Sequence, residues 1–235
     1  MVRLLIVEDV QPELDYLTLL VERDLGWEVA TASRPDEVPA FLDPEAPFDL
    51  ALVDLSFVNS SRNGLDALLM LWRTQPSCRL VVYTQGDPYQ SELLCDAWEA
   101  FDLASAVSKS SPTRMVVDAL RTVAERGVAS MDPVLLAVLP EERSPWRSID
   151  GYKRLVVHAG HAKLWRALIE LPAEPSYEDL ARHTGLKPNA VRNYRSELLE
   201  ELALHRLDKP KMREMQRFAK RCRPLLEPYI AARLA

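Results

Sequence analysis

The chain has 235 residues, of which 48% are hydrophobic and 27% charged, a composition typical of a folded globular protein. This composition excludes a long disordered chain and a fibrous repeat, and no apolar run approaches the roughly 20 residues that span a bilayer. Because the N-terminus turns acidic after a handful of apolar residues, we expect no signal peptide, a cytoplasmic location and no membrane partner.

Charge divides the chain into two halves. Residues 1–125 carry 9 Lys and Arg against 21 Asp and Glu, whereas residues 126–235 carry 20 against 14. An acidic half followed by a basic half indicates two domains with different partners. The basic half is a candidate surface for a polyanion.

Five short apolar segments in the acidic half predict β-strands. They are Arg3–Val7, Trp27–Thr31, Leu50–Val53, Leu80–Tyr83 and Leu103–Ser108. Stretches with apolar residues three and four apart separate them, and this alternation predicts a parallel sheet with helices on both faces. Residues 1–126 are therefore expected to form a doubly wound α/β domain with five parallel strands. Its strands would end along one edge, where ligands bind in such folds.

Polar side chains follow four of these strands at that edge. Glu8 and Asp9 follow the first strand, Asp54 the third, Thr84 the fourth and Lys109 the fifth. Clustered carboxylates repel one another unless a cation lies among them, and hard oxygen ligands select Mg²⁺. Lys109 could neutralise an anion bound to that cation, and the Thr84 hydroxyl could hydrogen-bond to it. Taken singly, each of these side chains is more often a helix cap or a solvated group.

In this order and at strand ends, the five residues closely resemble the site of the receiver domain of two-component response regulators, which has the CheY-like, flavodoxin-like fold. The resemblance implies that Asp54 is the phosphoacceptor and that Glu8, Asp9, Asp54 and the backbone carbonyl of Ser56 hold Mg²⁺. It implies that the threonine and the lysine contact the phosphoryl oxygens as switch residues. The phosphoryl group would come from a sensor histidine kinase or a small phosphodonor.

Three features depart from the receiver pattern. Ala106 stands where receivers usually carry Tyr or Phe, and Ser110 stands where the residue after the lysine is usually Pro. The loop after Asp54 is longer than usual and lacks its Pro, with Gly64 as the match for the family's glycine. We therefore expect that Asp54 can be phosphorylated but that activation is weakly coupled to the phosphate.

Strand periodicity disappears in the basic half. Residues 127–151 contain several Pro and Gly and are expected to form a linker, with a short helix begun by Asp132 and Pro133. Residues 152–235 are expected to form an all-α domain. Within it, Leu164, Leu168 and Leu171 predict one face of a helix.

Residues of about 176–202 predict a helix-turn-helix. Ser176 offers an N-cap to a short helix, Gly185 a left-handed turn, and Pro188 an early position in a second helix. The apolar stripe of the second helix leaves its polar and basic residues exposed, which is typical of a DNA-reading helix. An ordinary three-helix bundle with a solvated face would show the same pattern.

The segment LARHTGLKPNAVRNYRSELLEELAL resembles the DNA-binding segment of NarL/LuxR-type regulators, and the resemblance covers about residues 161–205. It implies that Arg192, Asn193 and Ser196 face the major groove. Lys187 and Asn189 would lie near the DNA backbone or the entry of the helix.

Residues 206–223 carry eight Lys and Arg against two Asp and Glu and predict a basic C-terminal extension. Such a segment can hold DNA phosphates, although a solvated helix face explains it equally well. The apolar stripe that follows is expected to pack on the domain or on a second subunit. His158 and His161 are three residues apart and could share a helix face, but no third ligand is evident nearby, so no metal site is predicted there.

Together these features predict a two-domain response regulator that controls transcription by binding DNA as a homodimer. It would not be an enzyme, apart from catalysing its own phosphotransfer and dephosphorylation. Two alternatives stay open. One is a receiver whose helical output binds RNA or a protein partner, as an antiterminator or adaptor does. The other is a phosphate-independent, dimerising transcription factor.

Overall fold

The computed structural model describes residues 1–58, 60–172 and 174–235. The chain divides into two units, Met1–Glu141 and Glu142–Ala235, which we call the N-terminal and the C-terminal unit. The segment that the sequence predicts as a linker, residues 127–151, is therefore shared between the two units rather than lying outside both. Within the described residues, no helix combines the length and the apolar character that a membrane span requires.

The N-terminal unit is built on a parallel sheet in the order β2-β1-β3-β4-β5. Its strands are β1 (Arg3–Val7), β2 (Glu28–Ala32), β3 (Leu50–Val53), β4 (Arg79–Thr84) and β5 (Leu103–Ser108). Its α-helices are α1 (Gln11–Leu25), α2 (Gly64–Thr74), α3 (Pro88–Ala100), α4 (Thr113–Arg126) and α5 (Pro133–Leu136). The predicted doubly wound sheet of five parallel strands is confirmed.

Helices cover both faces of the sheet, and for this reason β3 is apolar throughout and β1 is apolar after Arg3. Leu4 and Ile6 of β1 join the apolar side chains of α1 and α4 in one buried cluster, and α1 contacts α4 directly. Helices α2 and α3 pack together, and Leu5 and Val7 of β1 are buried as fully as their neighbours. A strand covered on both faces reads as a continuous apolar run, as β1 does.

The connection between β2 and β3 differs from the expected helix. It forms a 3-10 helix over Pro35–Phe41, with Pro39 inside it. Proline has no backbone N–H and clashes with the preceding turn of an α-helix, so the two prolines favour a short, tighter helix.

Residues after α4 remain attached to the sheet instead of leaving it. The backbone N–H of Ala129 donates to the carbonyl of Ala104 at 2.9 Å, and that of Asp132 donates to the carbonyl of Ala106 at 2.9 Å. Leu135 of α5 is buried. We call residues 129–136 the β5 strap, because they lie along the outer edge of β5.

The C-terminal unit is helical throughout its described residues, with two 3-10 segments at Pro145–Arg147 and Ile149–Leu155. Its α-helices are α6 (Ala159–Glu170), α7 (Tyr177–Thr184), α8 (Pro188–Glu197), α9 (Leu199–Leu204), α10 (Met212–Arg221) and α11 (Arg223–Leu234). The predicted all-α domain is therefore confirmed.

The helix-turn-helix consists of α7, a turn and α8. Ser176 and Asp179 form a capping box at the start of α7, and Gly185 ends the helix with a φ of 70°. Helix α8 ends at Glu197, although the spacing of Val191, Leu198 and Leu202 in the sequence predicts one helix that contains all three. The N–H of Leu198 is shared between the carbonyls of Tyr194 and Arg195, which tightens the last turn and separates α8 from α9.

The core of the C-terminal unit surrounds Trp165 of α6, which is fully buried. The indole N–H of Trp165 donates to the carbonyl of Leu155 at 2.7 Å, and its ring lies 5.9 Å from that of Phe218 in α10. Both α10 and α11 pack on α6. Leu225, Leu226 and Ile230 of α11 are buried within the unit, so the apolar stripe of the tail belongs to this core.

Candidate functional site

Four neighbouring strands of the sheet deliver the predicted polar residues to one edge. In the sheet register, Val7 pairs with Val53, Val53 with Val82, and Thr84 with Ser108. Glu8, Asp54 and Lys109, which directly follow their strands, and Thr84, which ends β4, therefore lie side by side at the carboxyl edge of the sheet. The parallel register is the reason why residues scattered between positions 8 and 109 come together.

Lys109 is the central cation of this group. Its Nζ lies 2.6 Å from Oε2 of Glu8, 3.2 Å from Oδ2 of Asp54 and 3.4 Å from Oε2 of Glu13. Only 12% of the lysine side chain is exposed, and the carboxylates of Glu8 and Asp54 are almost fully buried. Burial keeps water from screening these charges, so they interact strongly.

Burial also perturbs the two carboxyl groups that contact the lysine. Desolvation, reinforced by the charge of Asp54, raises the pKa of Glu8 from 4.5 to about 7, although Lys109 opposes the shift. Desolvation raises the pKa of Asp54 from 3.8 to about 6, again against the effect of Lys109. The single lysine therefore leaves part of the negative charge uncompensated.

The loop after β3 folds over the carboxylates. Oδ1 of Asp54 accepts the backbone N–H of Leu55 at 2.7 Å. Oδ2 of Asp9 accepts the N–H of Val58 at 2.7 Å. The loop thus fixes both carboxylates, whereas the Ser56 carbonyl stays only a predicted metal ligand.

The donor atoms at this edge suit a hard divalent cation. One carboxylate oxygen from each of Glu8, Asp9 and Asp54 lies within 4.8 Å of the others. Carboxylate oxygens are the ligands that Mg²⁺ prefers, and a divalent charge would reverse the desolvation and repulsion that raise the two pKa values. These residues therefore fit the predicted Mg²⁺.

The hydroxyl of Thr84 lies at the same edge but is engaged elsewhere. It donates to Oε1 of Gln90 in α3 at 2.9 Å, and the same oxygen accepts the N–H groups of Gln85 and Gly86 at 2.7 and 3.1 Å. The carbonyl of Thr84 accepts the N–H of Lys109 at 2.9 Å. Gln90 therefore holds the threonine side chain in its present position.

The position of the usual aromatic switch residue is filled differently here. Ala106 is fully buried, and its carbonyl accepts the N–H of Asp132 in the β5 strap. The carboxylate of Asp132 in turn accepts hydrogen bonds from the N–H of Ser108 at 3.3 Å and from the hydroxyl of Ser111. At Ser110, where receivers have Pro, the hydroxyl lies 2.7 Å from that of Ser108.

All five residues predicted to contact DNA are exposed. They are Lys187, Asn189, Arg192, Asn193 and Ser196. Lys187 is the N-cap residue of α8, and the other four lie within that helix. Helix α8 therefore presents a polar, solvent-facing side, while Val191 faces the core.

Arg192 makes three contacts within the helix-turn-helix. Its Nη1 donates to Oδ1 of Asn189 at 2.9 Å, its Nη2 lies 3.8 Å from Glu178, and its guanidinium stands 4.9 Å from the centre of the Tyr177 ring. A nucleic acid would have to replace the first two contacts. The arginine is thus held in place by groups that are themselves at the surface.

The basic extension is divided between the surface and the core. The exposed cations are Arg206, Lys209, Lys211, Arg213, Arg217 and Lys220, whereas Arg221 is buried. Arg213 lies 3.3 Å from Glu174, and Lys220 donates to the carbonyl of Leu171 at 2.9 Å. Part of the basic charge therefore holds α10 on the end of α6.

No family model matches this chain, and no curated protein matches its sequence. Solved structures do match. RcsB, in a structure described as two RcsB dimers bound to two parallel DNAs, is 14% identical and aligns over 93% of this chain and 98% of its own with a TM-score of 0.51. At this identity the likeness shows the fold alone, an α/β unit with the receiver fold followed by a helical unit.

Two further matches have lower TM-scores. RcsB from Salmonella enterica serovar Typhimurium, bound to the promoter rprA, is 15% identical over 92% of this chain and 97% of its own, with a TM-score of 0.49. The HemR receiver domain from Leptospira biflexa is 24% identical over 53% of this chain and 94% of its own, with a TM-score of 0.46. From here we use receiver unit and output unit for the N-terminal and the C-terminal unit as labels of fold, not of function.

Sequence patterns did not single out two residues of the receiver unit that contact the site. Glu13 adds a third carboxylate beside Lys109, after Glu8 and Asp54, and Gln90 binds the hydroxyl of Thr84. Gln90 occupies the third position of α3 after the N-cap Asp87, where Gln commonly reaches back over a helix start. That signal was present in the sequence, whereas nothing local connects Glu13 with Lys109.

Proposed function

We propose that the chain is a response regulator whose receiver unit accepts a phosphoryl group on Asp54 and whose output unit binds DNA. The observation that carries the proposal is the meeting of Glu8, Asp9 and Asp54 with Lys109 at one edge of the sheet. The solved RcsB structure with the same fold is described as dimers bound to DNA, which supports DNA and a second copy of the chain as partners.

The chemistry proposed for Asp54 is a phosphoryl transfer. A carboxylate oxygen attacks the phosphorus of a sensor histidine kinase or a small phosphodonor, and the donor group leaves as the new P–O bond forms. Mg²⁺, when bound, would offset the charge of the carboxylates and of the phosphoryl oxygens. The backbone N–H of Leu55 holds the attacking carboxylate in place.

Lys109 and Thr84 would respond to the new phosphoryl group. Lys109 is shared between Glu8 and Asp54, and it would move to the phosphoryl oxygens once Asp54 has reacted. Thr84 would have to leave Gln90 to donate to the same oxygens. Because the backbone N–H of Lys109 bonds to Thr84, the ends of β4 and β5 would shift together.

The phosphoacceptor proposal is tested by incubation with acetyl phosphate and Mg²⁺ followed by intact-mass measurement. Wild-type protein should gain the mass of one phosphoryl group, and Asp54→Asn should gain none. Asp118→Asn, which changes an exposed carboxylate on α4, is the matched control and should be labelled like wild type. No adduct on wild type, or an adduct that persists in Asp54→Asn, would reject the proposal.

The DNA proposal is tested by mobility shift with random duplex DNA and with RNA. Arg192→Ala and Asn193→Ala should each lower duplex affinity about 10-fold, as loss of a base contact does. Val157→Ala, an exposed position outside the helix-turn-helix, is the control. Binding to RNA alone would favour the antiterminator alternative, and binding to neither would favour a protein partner.

A second candidate is a regulator that works without phosphate, and two observations favour it. Ala106 cannot act as a rotating aromatic switch, and the β5 strap is bonded over the edge that such a switch would use. We therefore expect a phosphodonor to raise duplex affinity less than about 10-fold, a weak coupling by the standard of allosteric proteins. A larger gain, lost in Asp54→Asn, would reject weak coupling and the second candidate together.

A further inference from the structure

Three side chains with metal-binding atoms meet in the output unit, far along the chain from the acidic cluster. His158 precedes α6, His161 lies in the first turn of α6, and Glu197 is the last residue of α8. One nitrogen or oxygen of each lies within 4.8 Å of the others. Glu197 supplies the third ligand that is missing near the two histidines in the sequence.

The separations between these atoms fit a tetrahedral metal site. Nε2 of His158 and Nε2 of His161 lie 3.3 and 3.1 Å from the same Oε2 of Glu197. Ligand atoms bound to tetrahedral Zn²⁺ at about 2.1 Å stand roughly 3.4 Å apart, so a metal ion could be accommodated with little movement. Two imidazoles and one carboxylate are also a ligand set that zinc uses, with a water at the fourth position.

The ring of Tyr194 packs against both imidazole rings, and the site is open to solvent at Glu197. The two imidazole rings lie 3.9 Å apart between centres, and the ring of Tyr194 stands 5.0 and 5.8 Å from them. His161 is only 5% exposed, whereas about half of the Glu197 side chain is in contact with solvent. A cavity of about 350 Å³ adjoins His161 and Glu197 and gives room for a bound water.

The hydrogen bonds of the site show where protons must move when a metal binds. Nδ1 of His158 accepts the N–H of Gly160 at 3.0 Å, so the ring proton is on Nε2, which faces Glu197. Coordination through Nε2 transfers that proton to Nδ1 and gives up this cap of α6. His161 bonds to Glu197 through Nε2 as well, so its proton also moves to Nδ1, which is buried and has no hydrogen-bond partner within the described part of the chain.

We propose that His158, His161 and Glu197 bind one Zn²⁺ ion, with water as the fourth ligand. Three coordinate bonds replace two helix-capping hydrogen bonds at His158 and two hydrogen bonds to the carboxylate. The ion would join the start of α6 to the end of α8 and so fix the helix that carries Arg192. This site needs neither phosphate nor DNA, so it stands or falls independently of the function proposed above.

The test uses the full chain with Mg²⁺ in large excess, so that the acidic cluster of the receiver unit is occupied. Titration with Co²⁺ should give the visible absorption bands of tetrahedral cobalt at one equivalent, and Zn²⁺ should abolish them. Calorimetric titration with Zn²⁺ should give the same stoichiometry. Zn²⁺ should also raise the unfolding temperature of the output unit, because it binds the folded form.

Two ligand variants keep the local fold as far as the chemistry permits. His158→Asn retains an N-cap acceptor for α6, and Glu197→Gln retains the size of the side chain. Each should lower Zn²⁺ affinity by at least about 100-fold, more than the usual effect of an outer-shell change. Both should remove the tetrahedral Co²⁺ bands and the rise in unfolding temperature.

His183→Gln is the matched control, because His183 pairs with Glu170 at 2.8 Å in the same unit. It should bind Zn²⁺ like wild type. The proposal is overturned if wild type shows no tetrahedral Co²⁺ bands, if either ligand variant binds Zn²⁺ like wild type, or if His183→Gln loses the same affinity. It is also overturned if Asp54→Asn removes the bands, since the metal would then be in the receiver unit.

Discussion

Asp54 and Glu8 are two buried carboxyl groups that share one lysine. In the absence of a divalent cation their negative charges lower the free energy of unfolding, and this loss can be measured. Both pKa values lie above those of exposed carboxyl groups, at about 6 for Asp54 and about 7 for Glu8. The folded protein therefore binds protons more tightly than the unfolded chain does. Stability from these groups is present at low pH and is lost as pH rises through those values.

Asp54→Asn should therefore stabilise the receiver unit in the absence of Mg²⁺. At about pH 8 with a chelator, its free energy of unfolding should exceed that of wild type by about 1–2 kcal/mol, because the buried charge is removed. The difference should shrink toward about pH 5, where the wild-type carboxyl group is protonated. Urea unfolding followed over this pH range provides the measurement.

Mg²⁺ supplies the control for this prediction. With Mg²⁺ present, wild type should gain more stability than Asp54→Asn, since the variant has lost one of the three carboxylates that meet there. If Asp54→Asn is less stable than wild type at high pH without Mg²⁺, Lys109 already compensates the cluster and the case for a further cation fails.

Arg192 is held in place by Asn189 and Glu178. Glu178→Gln should remove a competing negative charge from this surface and so strengthen binding to a duplex. We expect a gain of about 2-fold to 5-fold, the size typical of a single exposed charge interaction. Mobility shifts at low salt would measure it. Glu200→Gln, an exposed carboxylate on α9, is the control, and an equal gain there would mean that only net charge matters.

At the scale of elements, the start of α2 depends on a close approach to β3. A Cβ atom at Gly64 would lie 2.3 Å from the carbonyl oxygen of Asp54 and 2.7 Å from Cα of Leu55. Both are backbone atoms, which cannot move aside without displacing the proposed phosphoacceptor. Gly64 is thus the position in the long loop where the chain has to return to the sheet.

Gly64→Ala should lower the free energy of unfolding by at least about 2 kcal/mol, because it overpacks this contact. It should also slow phosphorylation of Asp54, which intact mass would follow with time. Gly26→Ala is the control: Gly26 has a φ of 66° but nothing within 4 Å of a new Cβ, so about 1 kcal/mol is expected from backbone strain alone. Equal effects of the two variants would contradict this account.

The sequence predicted most elements because each carries its own local signal. Continuous apolar runs indicated the buried strands, and parallel topology then brought Asp54 and Lys109 to one edge. Local signals did not reveal contacts made across the fold. Glu197 lies 36 residues from His161 along the chain, and Glu13 reaches Lys109 from helix α1. The β5 strap lies in the segment predicted as linker with a short helix, because nothing local in residues 129–132 signals their hydrogen bonds to β5.

For the whole molecule, the separation of charge between the two units predicts how the proposed DNA binding depends on salt concentration. Arg217 is exposed on α10, within the basic extension. If α10 holds a DNA phosphate, Arg217→Gln should reduce the slope of log affinity against log salt concentration by about 1. Mobility shifts at several salt concentrations would give the slope.

Arg73→Gln removes the same charge from α2 of the receiver unit and serves as the control. Arg73→Gln should leave the slope of log affinity against log salt concentration as in wild type. If Arg217→Gln also leaves it unchanged, the exposed face of α10 is a solvated surface and the basic charge serves only to attach the helix to α6.

The β5 strap also bears on how copies of the chain can associate. An edge strand with free N–H and C=O groups can recruit a strand from another molecule. Here alternate residues along the outer side of β5, at 104, 106 and 108, are already bonded to residues of the strap. Strand exchange or fibril growth from this border of the sheet is thereby blocked, and any self-association on this side has to be built from helices and side chains.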